Sequence, residues 1–319
     1  MRRILVATSG RADACPMRPV IEALKRQPAA QKFTMLDLEG ETASKCVASV
    51  NGALWERPDG ILLLGDRYAI LAAALCATVA RIPIAHIHGG EASFGSFDNQ
   101  IRDAITKLAH IHFVAAEPMR QRLLDLGEEP ERIHVVGAPG LDNVAAALNM
   151  PCKRQNVFVV TYHPPTLGEP TVATALLAAL RRFPDYRVMW TGTNNDPGAE
   201  DVDAAFRQAG YEDADCSPGE YLDTVRQCAA VIGNSSSGII EVPSLGVPTV
   251  NVGPRQDGRL KGPSVIDCPE DEETIVEAIE RALHYDGPYD NPYGGTGASG
   301  KIAAILATAE IDMVKRWRS

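Results

Sequence analysis

Residues 60–90 read Gly60-Ile-Leu-Leu-Leu-Gly-Asp-Arg-Tyr-Ala-Ile-Leu-Ala-Ala-Ala-Leu-Cys-Ala-Thr-Val-Ala-Arg-Ile-Pro-Ile-Ala-His-Ile-His-Gly-Gly90. Four consecutive aliphatic residues stop at Gly65 without any polar alternation, which predicts a strand over 60–64 buried on both faces. Residues 69–80 are rich in alanine and leucine and carry no charge, a helix signal. A second apolar run, 82–87, is closed by His88-Gly-Gly. Strand, helix and strand in about 30 residues make a βαβ unit with parallel strands.

The same punctuation recurs on both sides. Upstream, 4–7 reads as a strand and 17–26 as a helix. Downstream, strands are expected at 112–115, 134–136, 157–162, 187–190, 230–232 and 249–252, and helices at 100–109, 118–126, 172–183, 219–228, 272–284 and 299–315. This alternation predicts an α/β protein with parallel sheets flanked by helices. A polar, proline-containing stretch at 148–156 marks the best domain break, giving two Rossmann-like halves, 1–150 and 151–319. No repeat with a period of roughly 20–50 residues and no low-complexity run occurs, which sets solenoids and propellers aside.

The chain has 319 residues, enough for one large domain or two of about 150, and at 45% hydrophobic and 23% charged its composition is that of a soluble globular enzyme, outside the disordered and fibrous classes. No run approaches the ~18 consecutive apolar residues of a membrane span. Residues 1–6 are too short for a signal-peptide core and lack its cleavage site, so a cytoplasmic location is expected. A formal net charge of −10 speaks against general nucleic-acid or anionic-membrane binding, while leaving room for a local basic cleft for a phosphorylated small molecule. Seven scattered cysteines without C-x-x-C spacing read as reduced, mostly buried apolar residues.

Ligands of parallel sheets sit beyond the carboxyl ends of the strands. The turn at the end of each strand therefore carries the functional reading: Thr8-Ser-Gly-Arg-Ala-Asp13, Gly65-Asp66-Arg67, His88-Gly-Gly-Glu91, His163-Pro164 and Gly233-Asn-Ser-Ser-Ser-Gly238. The last leads into a helical pattern at 239–245. Its hydroxyls and N–H groups at a helix N-terminus make either an anion site or a plain serine cap. It has neither a Walker lysine nor G-x-G-x-x-G spacing. Glu241, about one turn in, suits a ribose diol or simply the helix dipole.

Asp66, Glu91 and Asp98 come after neighbouring strands. Singly each reads as a helix cap; converging on one cleft, they repel, raise at least one pKa and divide acid and base roles. His163 can donate to a phosphate, shuttle a proton or serve as a hydrogen-bonded loop residue. His86, His88, His110, His112 and His134 read as structural. The His86-x-His88 pair lacks a third ligand for a zinc motif, and neither a metal nor another cofactor is expected. No G-x-S-x-G elbow is present.

These strings resemble the hydrolysing UDP-N-acetylglucosamine 2-epimerases, in particular the branch that opens sialic and legionaminic acid synthesis. The likeness is carried by Leu64-Gly-Asp-Arg-Tyr68, His86-Ile-His-Gly-Gly-Glu91, Ile101-Arg-Asp-Ala-Ile-Thr-Lys-Leu108, Val136-Gly-Ala-Pro-Gly-Leu-Asp-Asn143, Thr161-Tyr-His-Pro164, Gly233-Asn-Ser-Ser-Ser-Gly-Ile-Ile-Glu241, Pro243-Ser-Leu-Gly246, Arg255-Gln-Asp-Gly-Arg259 and Asn291-Pro-Tyr-Gly294. They run in order over most of the chain from Pro58 onward. The resemblance implies a GT-B fold, two Rossmann-like domains with parallel sheets facing across a cleft. The first would take the sugar side and the second would bind UDP, with the last helix crossing back. It implies elimination of UDP across C1 and C2 to a 2-acetamidoglucal, then water addition and release of N-acetylmannosamine and UDP.

Carried over position by position, Asp66, Glu91 and Asp98 match the carboxylates that handle the C2 proton and the glucal water, and His163 the histidine near the diphosphate. Ser235, Ser236, Ser237 and Gly238 match the diphosphate cradle, Glu241 the ribose contact and Arg11 the nucleotide-side arginine of the first loop. Arg255 and Arg259 match the basic loop after the following strand, and Arg67 adds a cation for the leaving diphosphate. The resemblance also implies a homodimer whose small-molecule partner is a UDP-sugar. Two departures stand out. Ala69 occupies a position where the family carries an acid. Between 30 and 58 the chain is shorter by one to two βα units of ~30 residues each, without a Thr-Gly-Met-His type loop. A GT-B glycosyltransferase with a UDP-sugar donor and a non-catalytic UDP-sugar-binding protein are the competing expectations.

Overall fold

A computed structural model describes residues 3–27, 32–148, 152–167, 173–194, 196–214 and 216–316. The chain forms two compact units: Met1–Glu91, Asp98–Asp142 and Tyr293–Ser319 make the first, Ala92–Phe97 and Asn143–Pro292 the second. In chain order the elements begin β1 (Arg3–Thr8), α1 (Arg11–Lys25), β2 (Lys32–Asp37), α2 (Ala43–Leu54), β3 (Gly60–Leu64), α3 (Tyr68–Val79), β4 (Ile84–Ile87), α4 (Asp98–Leu108), β5 (Ile111–Val114), α5 (Glu117–Asp125), β6 (Ile133–Val135) and α6 (Gly140–Leu148). They continue with β7 (Val157–Thr161), α7 (Thr174–Leu180), β8 (Arg187–Trp190), α8 (Ala199–Gln208), α9 (Pro218–Gln227), β9 (Ala230–Gly233), α10 (Ser237–Ile240), β10 (Thr249–Val252), β11 (Val265–Cys268), α11 (Glu272–Leu283) and α12 (Ala298–Thr308).

Both sheets are wholly parallel. The first has the order β2-β1-β3-β4-β5-β6 and the second β11-β10-β9-β7-β8. Alternate residues of the central strands feed opposite faces, as a buried parallel sheet requires. In the first unit Leu5, Ile61 and Leu63 pack with Val50, Ile70 and Ala73, while Val6, Leu62 and Leu64 pack with Met17, Val20, Ile302 and Leu306. In the second unit Phe158, Val160, Ile232 and Val250 share a core with Leu176, Ile275 and Ile279, and Trp190 stacks on Phe206 at 4.6 Å.

The order reverses at β1, flanked by β2 and β3, and again at β7, flanked by β8 and β9. At such a switch point the loops leaving the carboxyl ends diverge and open a crevice for ligands. The turns after β1 and β3, and after β7 and β9, are therefore the places to look.

The expected strands occur to within a residue or two, and two more, β2 and β11, complete the edges of the sheets. Helices α2, α6 and α8 are also additional, so the segment between β1 and β3 holds one βα unit. Helix α1 starts at Arg11, ahead of the expected 17, and contains Pro16 and Pro19. Each proline removes one helical hydrogen bond, and burial of Met17, Val20 and Leu24 holds the helix despite them. Helix α12 ends at Thr308, short of the expected 315. The chain beyond it is gripped by side chains: Arg132 donates to the carbonyls of Asp312 (3.0 Å) and Val314 (2.6 Å), and Lys315 pairs with Glu128 at 2.7 Å. The expected helix over 239–245 is broken into the single turn of α10 and a 3-10 turn over Val242–Leu245, because Pro243 has no N–H to continue the ladder. The expected start of α7 at Val172 and residues 149–151 of the expected domain break lie outside the described residues.

Candidate active site

In the first unit the turns after β1, β3 and β4 build one cluster. Gly65 turns the chain at φ 84°, and a Cβ there would stand 3.3 Å from Asp13 Oδ1. Asp13, in the first turn of α1, is 5% exposed and accepts from the N–H of Ser9 at 3.1 Å and from its hydroxyl. Burial pushes the Asp13 carboxyl up to about 6, with the Asp66 charge adding to the rise and Ser9 and Arg67 opposing it. Asp13, outside the anticipated trio, is thus a raised carboxyl in this region.

Asp66 succeeds Gly65, and its Oδ2 accepts from Arg102 Nη2 on α4. Arg102 is 1% exposed, and its Nη1 also donates to the carbonyl of Glu91 at 2.9 Å and to Asn99 Oδ1 at 3.3 Å. One guanidinium therefore ties the end of β3 to the loop after β4. His86 Nε2 donates to the carbonyl of Gly65 at 2.8 Å. Because a carbonyl only accepts, Nε2 carries the proton; burial pulls this imidazole down to about 3, so it is neutral.

Glu91 is 2% exposed, and its Oε1 lies 2.6 Å from His88 Nδ1. Of the two glycines between them, Gly90 is a steric necessity. Gly90 has φ 77°, and a Cβ there would run into Leu123 and the Met119 carbonyl. Asp98 opens α4, half-buried, one turn before Arg102, where the dipole favours a carboxylate. Arg67 is the N-cap of α3. Ala69 is 2% exposed and belongs to the core packed against β3, so this departure from the family lies inside the fold. The Arg11 side chain lies outside the described residues.

In the second unit β7 and β9 deliver His163 and the serine turn. The N–H of His163 donates to Asn234 Oδ1 at 2.8 Å, and Asn234 Nδ2 returns a bond to the His163 carbonyl at 2.8 Å. The N–H of Asn194 donates to His163 Nδ1 at 3.2 Å, so the neutral ring carries its proton on Nε2 and is a donor there. Gly233, at φ 138°, touches the Thr161 carbonyl so closely that no side chain fits.

Among the described residues no acceptor takes the N–H of Ser235 or Ser236, while the Ser237 N–H donates to Ser235 Oγ at 3.4 Å. Tyr221 donates to Ser237 Oγ at 3.1 Å. The helix contributes little dipole here, because α10 is one turn, and the donors of the turn are local N–H and hydroxyl groups. Gly238 is buried with its carbonyl accepting from Thr249 Oγ1 at 2.7 Å, and Glu241 closes α10. Arg255 pairs with Asp196 at 3.1 Å and reaches the Asn234 carbonyl at 3.5 Å, and Arg259 donates to Gln256 Oε1 at 2.6 Å.

The structure thus gathers Asp66, Arg67 and Glu91, with Asp98 a turn from Arg102, on the first unit. It gathers His163, the serines, Glu241, Arg255 and Arg259 on the second. Arg102, Asn194 and Asp196 were not singled out from sequence, His88 was read as structural, and Asp13 and Asn234 stood in the quoted turns without an assigned role. Arg102 lies inside the Ile101–Leu108 string, and His88 stands three residues from Glu91. Among the described residues no cluster of three His, Cys, Asp or Glu is placed to hold a metal ion.

The sequence pattern of the UDP-N-acetylglucosamine 2-epimerase family matches residues 37–307. The polysialic acid biosynthesis protein P7 of Escherichia coli is 35% identical over 259 residues, 74% of this chain and 66% of that protein. A UDP-N,N'-diacetylbacillosamine 2-epimerase (hydrolyzing) of Legionella pneumophila is 34% identical over 278 residues, 79% of this chain and 72% of that protein. The matched stretch thus spans about two thirds of these relatives' length. Among solved structures, Staphylococcus aureus MnaA with UDP superposes with a TM-score of 0.81 at 18% identity, covering 96% of both chains. The Neisseria meningitidis UDP-GlcNAc 2-epimerase bound to UDP-GlcNAc gives 0.80 at 18% identity, covering 96% of this chain and 99% of that one. These superpositions establish the GT-B-like fold expected from the sequence. Sequence pattern, relatives and fold agree that the chain belongs to the UDP-N-acetylglucosamine 2-epimerase family.

Proposed function

We propose that the protein is a hydrolysing 2-epimerase, converting UDP-N-acetylglucosamine or a close UDP-acetamido sugar to the free 2-epimer and UDP. The observation that carries this reading is the concentration of buried and partly buried ionisable side chains after β1, β3 and β4: Asp66 on Arg102, His88 on Glu91, and Asp13 behind them. Buried charges cost stability, so a set of them gathered in one place points to a function. Proton transfer at the carbon beside the anomeric centre needs just such an acid and base set.

In the elimination a base takes the C2 proton, the C2–H pair becomes the C1=C2 bond, and the C1–O bond breaks with its pair leaving on UDP. Water then adds its hydroxyl to C1, and C2 gains a proton on the opposite face. Asp66, Glu91 and Asp98 are the carboxylates for these transfers. The Ser235 and Ser236 N–H groups, Ser237, Gly238, His163, Arg255 and Arg259, with Arg11 and Arg67, are the groups for the departing diphosphate, and Glu241 for the ribose. The relative named as a hydrolysing epimerase supports release of free sugar over reversible epimerisation.

The reading includes a homodimer and a cytoplasmic location. Leu75 and Val79 on α3 are 49% and 85% exposed, beside Val47 and Trp55 of the α2 region at 39% and 89%. Helix α3 carries no charged residue and α2 only Lys45, so two copies of net charge −10 repel least across this face, as a two-fold interface that meets itself requires. No described helix is long and apolar enough to cross a membrane. Incubating the protein with UDP-N-acetylglucosamine in deuterated water, with products monitored by mass spectrometry and NMR, tests the reading. N-acetylmannosamine carrying deuterium at C2 is the expected product. Transfer of the sugar to an added acceptor would assign a glycosyltransferase instead, and binding without turnover a sugar-nucleotide sensor.

A further inference from the structure

We infer that His88 is the catalytic group that takes the C2 proton, and that Glu91 acts through it as a positioning residue. The inference rests on the proposed epimerase reading and redefines the part Glu91 plays in it. Three observations point this way. The Glu91 carboxylate, 2% exposed, has Oε1 at 2.6 Å from His88 Nδ1, whereas the His88 side chain keeps 13% of its surface. A buried carboxylate on one ring nitrogen fixes the tautomer and stabilises the imidazolium, so the other nitrogen becomes the proton carrier.

Next, the chain on both sides of the ring is held from several directions. The His88 N–H donates to the Phe113 carbonyl at 3.0 Å, the Glu91 carbonyl is gripped by Arg102 at 2.9 Å, and Gly90 admits no side chain. Finally, His88 sits at φ 67°. Of the other described non-glycine residues with left-handed backbone, Arg81 follows the C-cap of α3, where such backbone is common, Arg57 stands three residues past α2 and Ala173 is the N-cap of α7. His88 instead leaves a strand, and a strained backbone kept in place by its surroundings is typical of a functional site.

In the elimination the imidazole takes the proton from C2 while the C2–H pair forms the C1=C2 bond and the C1–O pair departs with UDP. The imidazolium then gives its proton to solvent. A carboxyl group of the same half-site delivers the new C2 proton and receives one from the attacking water. No oxidant or other co-reactant is needed.

His88→Gly tests the assignment, because glycine adopts φ 67° without strain and leaves space for a small base. The expected result is a folded protein with kcat lowered by about 100-fold or more, KM within about threefold, and partial recovery of turnover on adding imidazole. His88→Asn, which also tolerates this backbone, gives a second variant with the same fall in kcat but no recovery on adding imidazole, since its side chain fills the space. Turnover within about threefold of wild type, or a loss in His88→Gly that imidazole leaves untouched, overturns the role of His88. For Glu91, the double variant His88→Gly with Glu91→Gln should be no slower than His88→Gly alone, since the two act as a unit. Multiplied losses would overturn the positioning role. A wild-type protein that yields no C2-deuterated 2-epimer fails the epimerase reading itself, a result seen before any variant is made.

Discussion

Arg102 on α4 holds the carboxylate of Asp66 at the end of β3, across 36 positions of sequence, with only 1% of the arginine side chain exposed. Breaking a buried pair from one side leaves an uncompensated charge and costs about 3–5 kcal/mol. Arg102→Met should therefore lower unfolding free energy by roughly that amount in urea titrations. It should also release the Glu91 carbonyl, so turnover falls although the Asp66 carboxylate is kept. Equal stability of Arg102→Met and wild type would show the pair to be energetically idle.

Asp13 gives the first unit a pH signature. Its folded pKa, about 6, is above the ordinary 3.8, so the protonated form is the one the fold favours. Its contribution to stability is full below pH 3.8 and is lost as pH rises through about 6. Asp13→Asn should thus match wild type near pH 4 and exceed it by about 2–3 kcal/mol at pH 8. Melting curves at the two pH values check this, and a gain of equal size at both would contradict it.

Glu128 behaves in the opposite sense. Burial pushes its carboxyl up, but hydrogen bonds from His112 and Lys315 outweigh that and hold it at about 2, below the ordinary 4.5. The stabilisation is full above pH 4.5 and is lost as pH falls through about 2. Lys315 pairs with this carboxylate at 2.7 Å, so Glu128→Gln should free the chain beyond α12. Limited proteolysis near residues 309–316 should be roughly tenfold faster or more in the variant, and unchanged cleavage would place the anchor elsewhere.

Arg255 lies beside the serine turn, pinned to Asp196 at 3.1 Å and touching the Asn234 carbonyl. If it meets a diphosphate, Arg255→Gln should weaken UDP binding about 10- to 100-fold, as expected for a charge-assisted contact of about 1.5–3 kcal/mol. The weakening should shrink at high salt. Calorimetric titration with UDP measures both, and an unchanged Kd would remove Arg255 from the nucleotide site.

The α2 and α3 face predicts an oligomer that one charge disrupts. Leu75→Glu should convert a dimer to a monomer in sedimentation velocity runs without lowering the melting temperature of the monomer, since Leu75 is already 49% exposed. A wild-type monomer at tens of micromolar would dismiss the interface.

The central strands were legible because parallel sheets bury both faces, which writes them as unbroken aliphatic runs such as Ile61–Leu64 ended by glycine. The two strands that sequence reasoning missed, β2 and β11, are edge strands. Lys32–Asp37 mixes polar and apolar residues and leaves Met35 50% exposed, so its apolar signal is weak. Turn residues placed Asp66, Glu91, His163 and the serines at strand ends correctly, since loop chemistry is local. The continuous helix at 239–245 was overestimated because the pattern passed over Pro243.

Two parallel α/β sheets, the points where their loops emerge and the family were all readable from the linear chain, since burial period, turn residues and ordered motifs are properties of sequence order. The partner of each ionisable group was settled by folding alone. Asp66 meets Arg102, Glu91 meets His88, Asp13 lies behind Gly65, and Lys315 returns to Glu128. Such pairs form or fail within an ångström or so, and the separation is set by how distant elements pack. Spacing along the chain carries no record of it.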